Sequence, residues 1–139
     1  MQIITSKDNE LIKHIRKLKD KKYRDEYNEY VVEGIKIVEE AVKENVKIKQ
    51  IIICNDTTKT YEIPTHIMLE IAKYECIYVT DKIFNLITQV TNPQGIMAII
   101  EKNSKENEID YTQDIILALD DIQDPGNLGT ILRTADSIG

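Results

Sequence analysis

An asparagine and an arginine near the end of the sequence, Asn127 and Arg133, are of residue types that can bind phosphate groups. Asn127 follows a turn at Pro125-Gly126 and is predicted to cap a helix through its side-chain oxygen. Arg133 lies further along the same predicted helix, where its guanidinium can hold a phosphate through two parallel hydrogen bonds. The positive end of the helix dipole favours the same ligand. On local grounds alone, two alternatives remain: Asn127 is a simple helix cap, and Arg133 is an exposed arginine paired with Asp136 or with a glutamate elsewhere.

A second group of candidate residues lies in a basic segment at the start of the chain. Residues 1–24 hold eight Lys or Arg and three acids, a local charge of +5, whereas the remainder has ten basic and 21 acidic residues, a local charge of −11. Because phosphate binding depends on local charge, the net charge of −6 does not exclude nucleic acid. Lys21, Lys22, Tyr23 and Arg24 combine cations with an aromatic ring, which suits RNA phosphates and stacked bases. A solvated helix face is the alternative.

Composition and spacing argue against several other kinds of site. No apolar run approaches the roughly 18 residues that cross a membrane, and no signal peptide is recognisable, so we expect a cytoplasmic protein without a membrane partner. Cys54, Cys76, His14 and His66 lack metal-ligand spacing, so we predict buried thiols, surface histidines and no metal site. Residues 124–129 form neither a dinucleotide-binding glycine motif nor a P-loop.

Hydrophobic periodicity predicts the elements that carry these residues. Strands are predicted at 30–33, 48–54, 76–79, 96–100 and 114–119, and helices at about 6–27, 35–45, 64–72, 81–87 and 127–138. Alternating strands and helices favour a parallel or mixed sheet covered on both faces, so residues 1–101 are predicted to form one α/β/α sandwich. Residues 102–112 are polar and charged, and we predict that they link this domain to a second one that starts at 113.

Four segments resemble one known family. Three of them are Lys21-Lys22-Tyr23-Arg24, Val31-Val32-Glu33-Gly34 and Asn92-Pro93-Gln94-Gly95-Ile96. They resemble landmarks in the N-terminal substrate-binding domain of SpoU/TrmH RNA ribose 2′-O-methyltransferases. Residues 119–139 resemble the opening of the catalytic domain of that family. The resemblance implies an α/β fold with a ribosomal-protein-like three-layer α/β/α sandwich at 1–101. The first strand-helix unit of a knotted methyltransferase domain would follow at 113–139, where that domain is incomplete.

The resemblance also implies an activity and the residues that perform it. Family members transfer a methyl group from S-adenosylmethionine to an RNA ribose, with ribosomal RNA expected before tRNA as the substrate, and the full-length protein is expected to be a homodimer. Arg133 would orient a phosphate and stabilise developing negative charge, while Asn127 would help to place the arginine or the substrate. The RNA-binding residues that the resemblance implies are Lys21, Lys22, Tyr23, Arg24 and Glu33.

Glu33 has a second interpretation, as a turn acid that caps the following helix. The family's cofactor pocket is built by residues beyond the first motif of the catalytic domain. We therefore expect this 139-residue chain alone to be inactive and not to bind S-adenosylmethionine. A non-enzymatic RNA-binding module is one alternative. A fragment that dimerises through exposed apolar residues of 115–119 and 128–138 is another.

Overall fold

The computed structural model describes residues 3–56, 61–102, 111–112 and 114–138. The chain divides into two compact units, Met1–Ser104 and Lys105–Gly139, and each is described by itself. Most of the linker predicted at 102–112 lies outside the described residues.

A five-stranded mixed sheet forms the centre of the first unit. Its strands are β1 (Ile3–Ile4), β2 (Glu29–Glu33), β3 (Ile48–Cys54), β4 (Cys76–Val79) and β5 (Ile96–Glu101). The spatial order is β1-β4-β3-β5-β2, in which β1, β4 and β3 are parallel and β5 runs antiparallel to both of its neighbours. The four strands predicted within residues 1–101 are confirmed. The two-residue β1, which is too short to show a periodicity, was not predicted.

Helices cover both faces of this sheet. They are α1 (Glu10–Lys17), α2 (Lys21–Tyr27), α3 (Ile35–Lys43), α4 (Thr65–Ile71) and α5 (Asp81–Ile87). Successive residues of a strand point to opposite faces, so β3 sends Ile52 into an apolar cluster with α1 and α5, and Ile51 into another with α3 and α4. On β5, Met97 lies in the cluster with α1 and α5, and Ala98 lies in the cluster with α3 and α4. The predicted three-layer α/β/α sandwich is confirmed.

The single N-terminal helix predicted at about 6–27 is wrong, because the chain forms α1 and α2 instead. The side chain of Asn9 caps α1 by accepting a hydrogen bond from the backbone N–H of Leu11 at 2.9 Å. After Leu18 the chain leaves the helix, and Asp20 adopts an extended conformation. The Asp20 carboxylate caps α2 by accepting from the N–H of Lys22 at 3.0 Å. A capping aspartate in extended backbone starts a new helix here.

The second unit contains one helix among its described residues, α6 (Pro125–Ile138). The helix predicted at 127–138 is confirmed, with a start two residues earlier. The described residues 114–124 contain no strand, which differs from the strand predicted at 114–119. A strand forms through hydrogen bonds to a neighbouring strand, and the described residues of this unit provide none. The side chains of Ile115 and Leu117 are accordingly 73% and 51% exposed.

Candidate nucleic-acid interface

The exposed face of α1 carries three cations at helical spacing. Lys13, Arg16 and Lys17 lie at positions i, i+3 and i+4, and neighbours at this spacing share one face of a helix. The opposite face carries Ile12 and Ile15, which are buried against the sheet. The apolar face therefore fixes the orientation of α1 and directs the three cations to the surface.

These cations line a groove between α1 and the end of α5, which we call the basic groove. It has a volume of about 420 Å³ and is lined by Lys13, Arg16, Lys17, Lys19 and Leu86. Lys19, two residues after α1, is tied to the end of α5, because its Nζ donates to the carbonyl oxygens of Leu86 at 3.3 Å and Thr88 at 3.1 Å. The basic groove was not predicted as a site, although the helical spacing of its cations was visible in the sequence.

One carboxylate offsets part of the positive charge of the basic groove. Glu10 Oε1 lies 2.7 Å from Lys13 Nζ, and this hydrogen bond lowers the pKa of Glu10 and raises the pKa of Lys13. Within the described ranges, Arg16 and Lys17 form no ion pair with a carboxylate. Lys17 Nζ instead lies 3.5 Å from the hydroxyl oxygen of Tyr27. Four cations beside one paired carboxylate make the groove electropositive.

The predicted RNA-binding residues of α2 are neighbours but have different surroundings. Lys21 and Lys22 are exposed in the first turn of the helix. The ring of Tyr23 stacks on Tyr27, with centroids 6.0 Å apart and an interplanar angle of 13°. Lys17 Nζ and Lys22 Nζ each lie 5.6 Å from the centre of the Tyr23 ring. The ring is thus already engaged by another ring and by two ammonium groups.

Arg24 is bound to the backbone of its own chain. Its Nη1 donates to the carbonyl oxygens of Leu18 at 3.1 Å and Lys19 at 2.7 Å. These carbonyls follow the end of α1, where backbone oxygens lack partners within the helix. Arg24 therefore fixes the junction between α1 and α2 and with it the position of Lys19. A direct contact of Arg24 with RNA stays a prediction.

Glu33, the last residue of β2, is joined to the loop that follows α5. Its carboxylate accepts hydrogen bonds from the Thr88 hydroxyl and from the backbone N–H of Gln89, the second at 3.1 Å. Lys19 binds the carbonyl oxygen of the same Thr88. Glu33 and Lys19, a lining residue of the basic groove, are therefore both hydrogen-bonded to Thr88. The predicted RNA contact of Glu33 stays a prediction.

The side chain that caps α3 comes from the other landmark segment of the first unit. Gln94 Oε1 accepts a hydrogen bond from the backbone N–H of Ile35 at 2.8 Å, so the alternative that Glu33 caps this helix is wrong. Gly95 has a φ of +74°, and a Cβ there would collide with the ring of Tyr61. The glutamine and glycine of this segment are thus explained by folding requirements.

The sequence did not predict the contacts of Glu29, a buried carboxylate that is bound by two partly exposed side chains. Glu29 accepts hydrogen bonds from Lys49 and from His14 Nε2, the latter at 2.7 Å, while its side chain is only 7% exposed. Burial raises the pKa of Glu29, but the hydrogen bonds from Lys49 and His14 outweigh it, so the pKa is lowered. His14 was predicted at the surface, and its side chain is partly exposed, at 29%, whereas His66 is fully at the surface, at 63%. His14 and Lys49 lie 15 and 20 residues from Glu29 in the sequence, so local spacing could not predict that they bind it.

Asn127 and Arg133 are both exposed on α6. Six residues of helix separate them by about 9 Å along the axis and about 120° around it, so the helix does not bring the two side chains together. Asn127 is not the helix cap that was predicted, because the Asp124 carboxylate holds that place and accepts from the N–H of Asn127 at 2.8 Å. Within the described part of the chain, no hydrogen bond or ion pair involves the side chain of Arg133.

The described residues of the second unit do not fit a cofactor pocket. A small-molecule site encloses most of its ligand within apolar walls. Here the side chains of Ile115, Leu117, Leu119 and Ile122 are all exposed, so these four residues do not form a buried apolar wall.

The described residues show neither a metal site nor a membrane-spanning helix. They contain no group of three or more His, Cys, Asp or Glu that could hold a metal ion. Cys54 is buried and Cys76 is half-buried, where burial raises the pKa of the Cys76 thiol. None of the described helices has the length and apolar character needed to cross a membrane.

Comparison with known sequences identifies relatives of both units. The family model of the MRM3-like substrate binding domain matches residues 9–98. The 23S rRNA (guanosine(2553)-2'-O)-methyltransferase RlmP of Bacillus subtilis is 33% identical, and the match covers 100% of this chain and 52% of RlmP. The mitochondrial rRNA methyltransferase 3 of Xenopus tropicalis is 29% identical over 95% of this chain and 32% of its own length. The chain thus spans about half or less of the length of these curated relatives.

Solved structures give the same relationship. A crystal structure of an rRNA methyltransferase from Sinorhizobium meliloti matches 99% of this chain and 52% of its own, with a TM-score of 0.72 and 33% identity. An AdoMet-bound rRNA methyltransferase from the same organism matches with a TM-score of 0.67 and 30% identity, over 99% of this chain and 51% of its own. Residues 9–98 of the chain match the MRM3-like substrate binding domain. The chain therefore belongs to the SpoU/TrmH family of RNA 2′-O-ribose methyltransferases.

Proposed function

We propose that this chain is the RNA-binding part and the first catalytic motif of an enzyme that methylates the ribose 2′-hydroxyl of ribosomal RNA. The match of residues 9–98 to a substrate binding domain is the observation that supports this most. In the proposed organisation, residues 1–101 bind RNA, 102–112 form a linker and 113–139 begin the catalytic domain. The whole protein would act as a cytoplasmic homodimer.

S-adenosylmethionine would supply the methyl group in the whole enzyme, whereas the residues of this chain would handle the RNA. Arg133 is exposed and free of a described partner, so its guanidinium is available to orient a phosphate and to stabilise negative charge that develops on the ribose oxygen. Asn127 lies about 120° away around α6, which favours a contact with the substrate over a contact with Arg133.

Methylation mapping in cells tests this proposal. Ribosomal RNA from a strain that lacks the gene should lose 2′-O-methylation at a defined nucleotide, and the intact gene should restore it. A gene that encodes Arg133→Ala should fail to restore the mark, whereas Lys36→Ala, an exposed position on α3, should restore it. Loss confined to tRNA would overturn the ribosomal substrate, and unchanged methylation of all RNA would overturn the enzymatic function.

A second candidate function is that of an RNA-binding module without catalysis. Two observations favour it: the described lining of the basic groove lies within the first unit, and apolar side chains of the second unit such as Ile115 and Leu117 are exposed. Under this alternative the protein would bind RNA, and methylation of ribosomal RNA would not depend on its gene.

A fragment that dimerises through exposed residues such as Ile115 and Ile138 would instead sediment as a dimer.

A further inference from the structure

We propose that the basic groove binds the sugar-phosphate backbone of RNA without reading its bases. This inference rests on the proposed RNA-binding function and assigns it to a particular surface. The surface is formed by α1 and the end of α5, and it differs from the α2 residues that the sequence pattern favoured.

The charges of the groove fit a polyanion. Arg16 and Lys17 are exposed and have no carboxylate partner among the residues that the structure describes. A guanidinium matches two phosphate oxygens, and an ammonium group attracts any nearby phosphate. Lys13 and Lys17 are one helical turn apart, about 6 Å along the axis, and Lys19 continues the row toward α5. A continuous row of cations of this kind can follow a phosphodiester chain.

The groove is preorganised on its α5 side. Lys19 Nζ is held by the carbonyl oxygens of Leu86 and Thr88, and the carbonyl oxygen of Lys19 itself accepts a hydrogen bond from Arg24. Less side-chain freedom is then lost when a ligand binds. Lys19 is therefore held in place by backbone hydrogen bonds before any ligand binds.

The lining of the groove offers little that could distinguish one base from another. Recognition of RNA sequence depends on aromatic rings that stack on bases and on polar groups that read base edges. Among the described lining residues, Leu86 is the one without a charge, and none of them is aromatic. The nearby ring of Tyr23 is stacked on Tyr27 and has Lys17 and Lys22 close to it. Base stacking on Tyr23 would therefore have to displace existing contacts.

Binding measurements on the 139-residue chain test the inference. The groove variant is Arg16→Ala with Lys17→Ala, and the matched control is Lys36→Ala with Lys73→Ala, which removes two exposed cations from the α3 and α4 side. Fluorescence anisotropy would follow oligo(A) and oligo(U) of equal length across a salt series, with inorganic polyphosphate as a competitor. Circular dichroism would check that each variant is folded.

The groove variant should bind both RNAs about 10- to 30-fold more weakly at about 0.1 M salt, because two phosphate contacts are lost. The slope of log K against log salt should become shallower by about 1.4, and the control pair should match the parent. Polyphosphate should displace both RNAs from the parent chain. A loss restricted to one RNA would overturn backbone recognition.

A third variant, Lys21→Ala with Lys22→Ala, separates failure of this inference from failure of the proposed function. If this pair weakened RNA binding while the groove variant bound as the parent does, the RNA-binding function would stand and the groove assignment would be wrong. If the parent chain bound neither RNA, both proposals would be wrong.

Discussion

Glu29 carries the most demanding electrostatic role of any side chain in the described part of the first unit. A carboxylate removed from water is costly unless hydrogen bonds and opposite charge compensate for the lost hydration. Lys49 on β3 provides both and His14 on α1 donates a further hydrogen bond, so Glu29 at the start of β2 links three elements. The same contact orients the helix whose outer face carries the cations of the basic groove.

Replacement of Glu29 by Gln should lower the free energy of unfolding by about 1–3 kcal/mol at neutral pH, because charged hydrogen bonds are lost. The folded-state pKa of Glu29 lies below its ordinary value of 4.5. The stabilisation is therefore fully present above pH 4.5 and is lost as the pH falls through the lower folded-state pKa. Urea unfolding of parent and variant at neutral and acidic pH should show a difference that shrinks in acid. A difference that stays constant would contradict this assignment.

The sequence indicated that the start of the chain was basic but not which of its cations were available. Arg24 looks like a phosphate ligand in sequence, yet its guanidinium satisfies two carbonyl oxygens at the end of α1. Arg16 and Lys17 were not predicted as binding residues, yet they line the basic groove. The availability of a side chain depends on tertiary contacts. Local spacing cannot predict a partner such as Leu86, which lies 67 residues from Lys19 in the sequence.

At the scale of elements, the start of α6 shows how a short motif specifies a helix end. Asp124 caps the helix, and Pro125 occupies the first helical position, where the missing N–H costs nothing. A Cβ at Gly126 would lie 2.9 Å from the Asp124 carboxylate, so the glycine makes room for the cap. At Gly129, such a Cβ would meet no described atom within 4 Å, so no packing contact in the described part of the chain requires a glycine there.

Substitution of Asp124 by Ala should destabilise α6 by about 0.5–2 kcal/mol, because the N–H of Asn127 loses its acceptor. The helix has no buried residue to compensate for the loss. Faster amide hydrogen exchange across the first turn, together with a smaller helical signal in circular dichroism, would report the change. Asp124→Asn is the matched control, since asparagine also caps helices and should retain most of the protection. Equal exchange in all three proteins would contradict the capping role.

Element prediction succeeded where the pattern is long and the partner strands are present. The apolar run of β3 predicted a strand buried on both faces, and Ile51 to Cys54 are all buried between β4 and β5. The equally apolar residues 115–119 form no strand, because apolarity alone cannot supply a hydrogen-bonded neighbour. The break between α1 and α2 was missed because a single residue, Asp20, causes it.

At the scale of the whole molecule, the two units differ in how their apolar side chains are used. In the first unit, two clusters on opposite faces of the sheet bury side chains such as Phe84 and Ile67 almost completely. In the second, Leu132 and Ile138 on α6 stay largely exposed. The first unit thus satisfies the packing requirements of an independent domain, whereas the described part of the second has no apolar core of its own.

This contrast leads to a prediction about the cofactor. We expect the 139-residue chain to show no heat of binding when S-adenosylmethionine is titrated into it in a calorimeter. A ligand of this size gains affinity when a pocket encloses most of its surface. The exposed apolar residues of the second unit, among them Ile115 and Leu117, provide no enclosing wall. A family member crystallised with AdoMet is the positive control. A micromolar dissociation constant for this chain would contradict the prediction, and it would mean that a second copy or a rearranged second unit completes the pocket in solution.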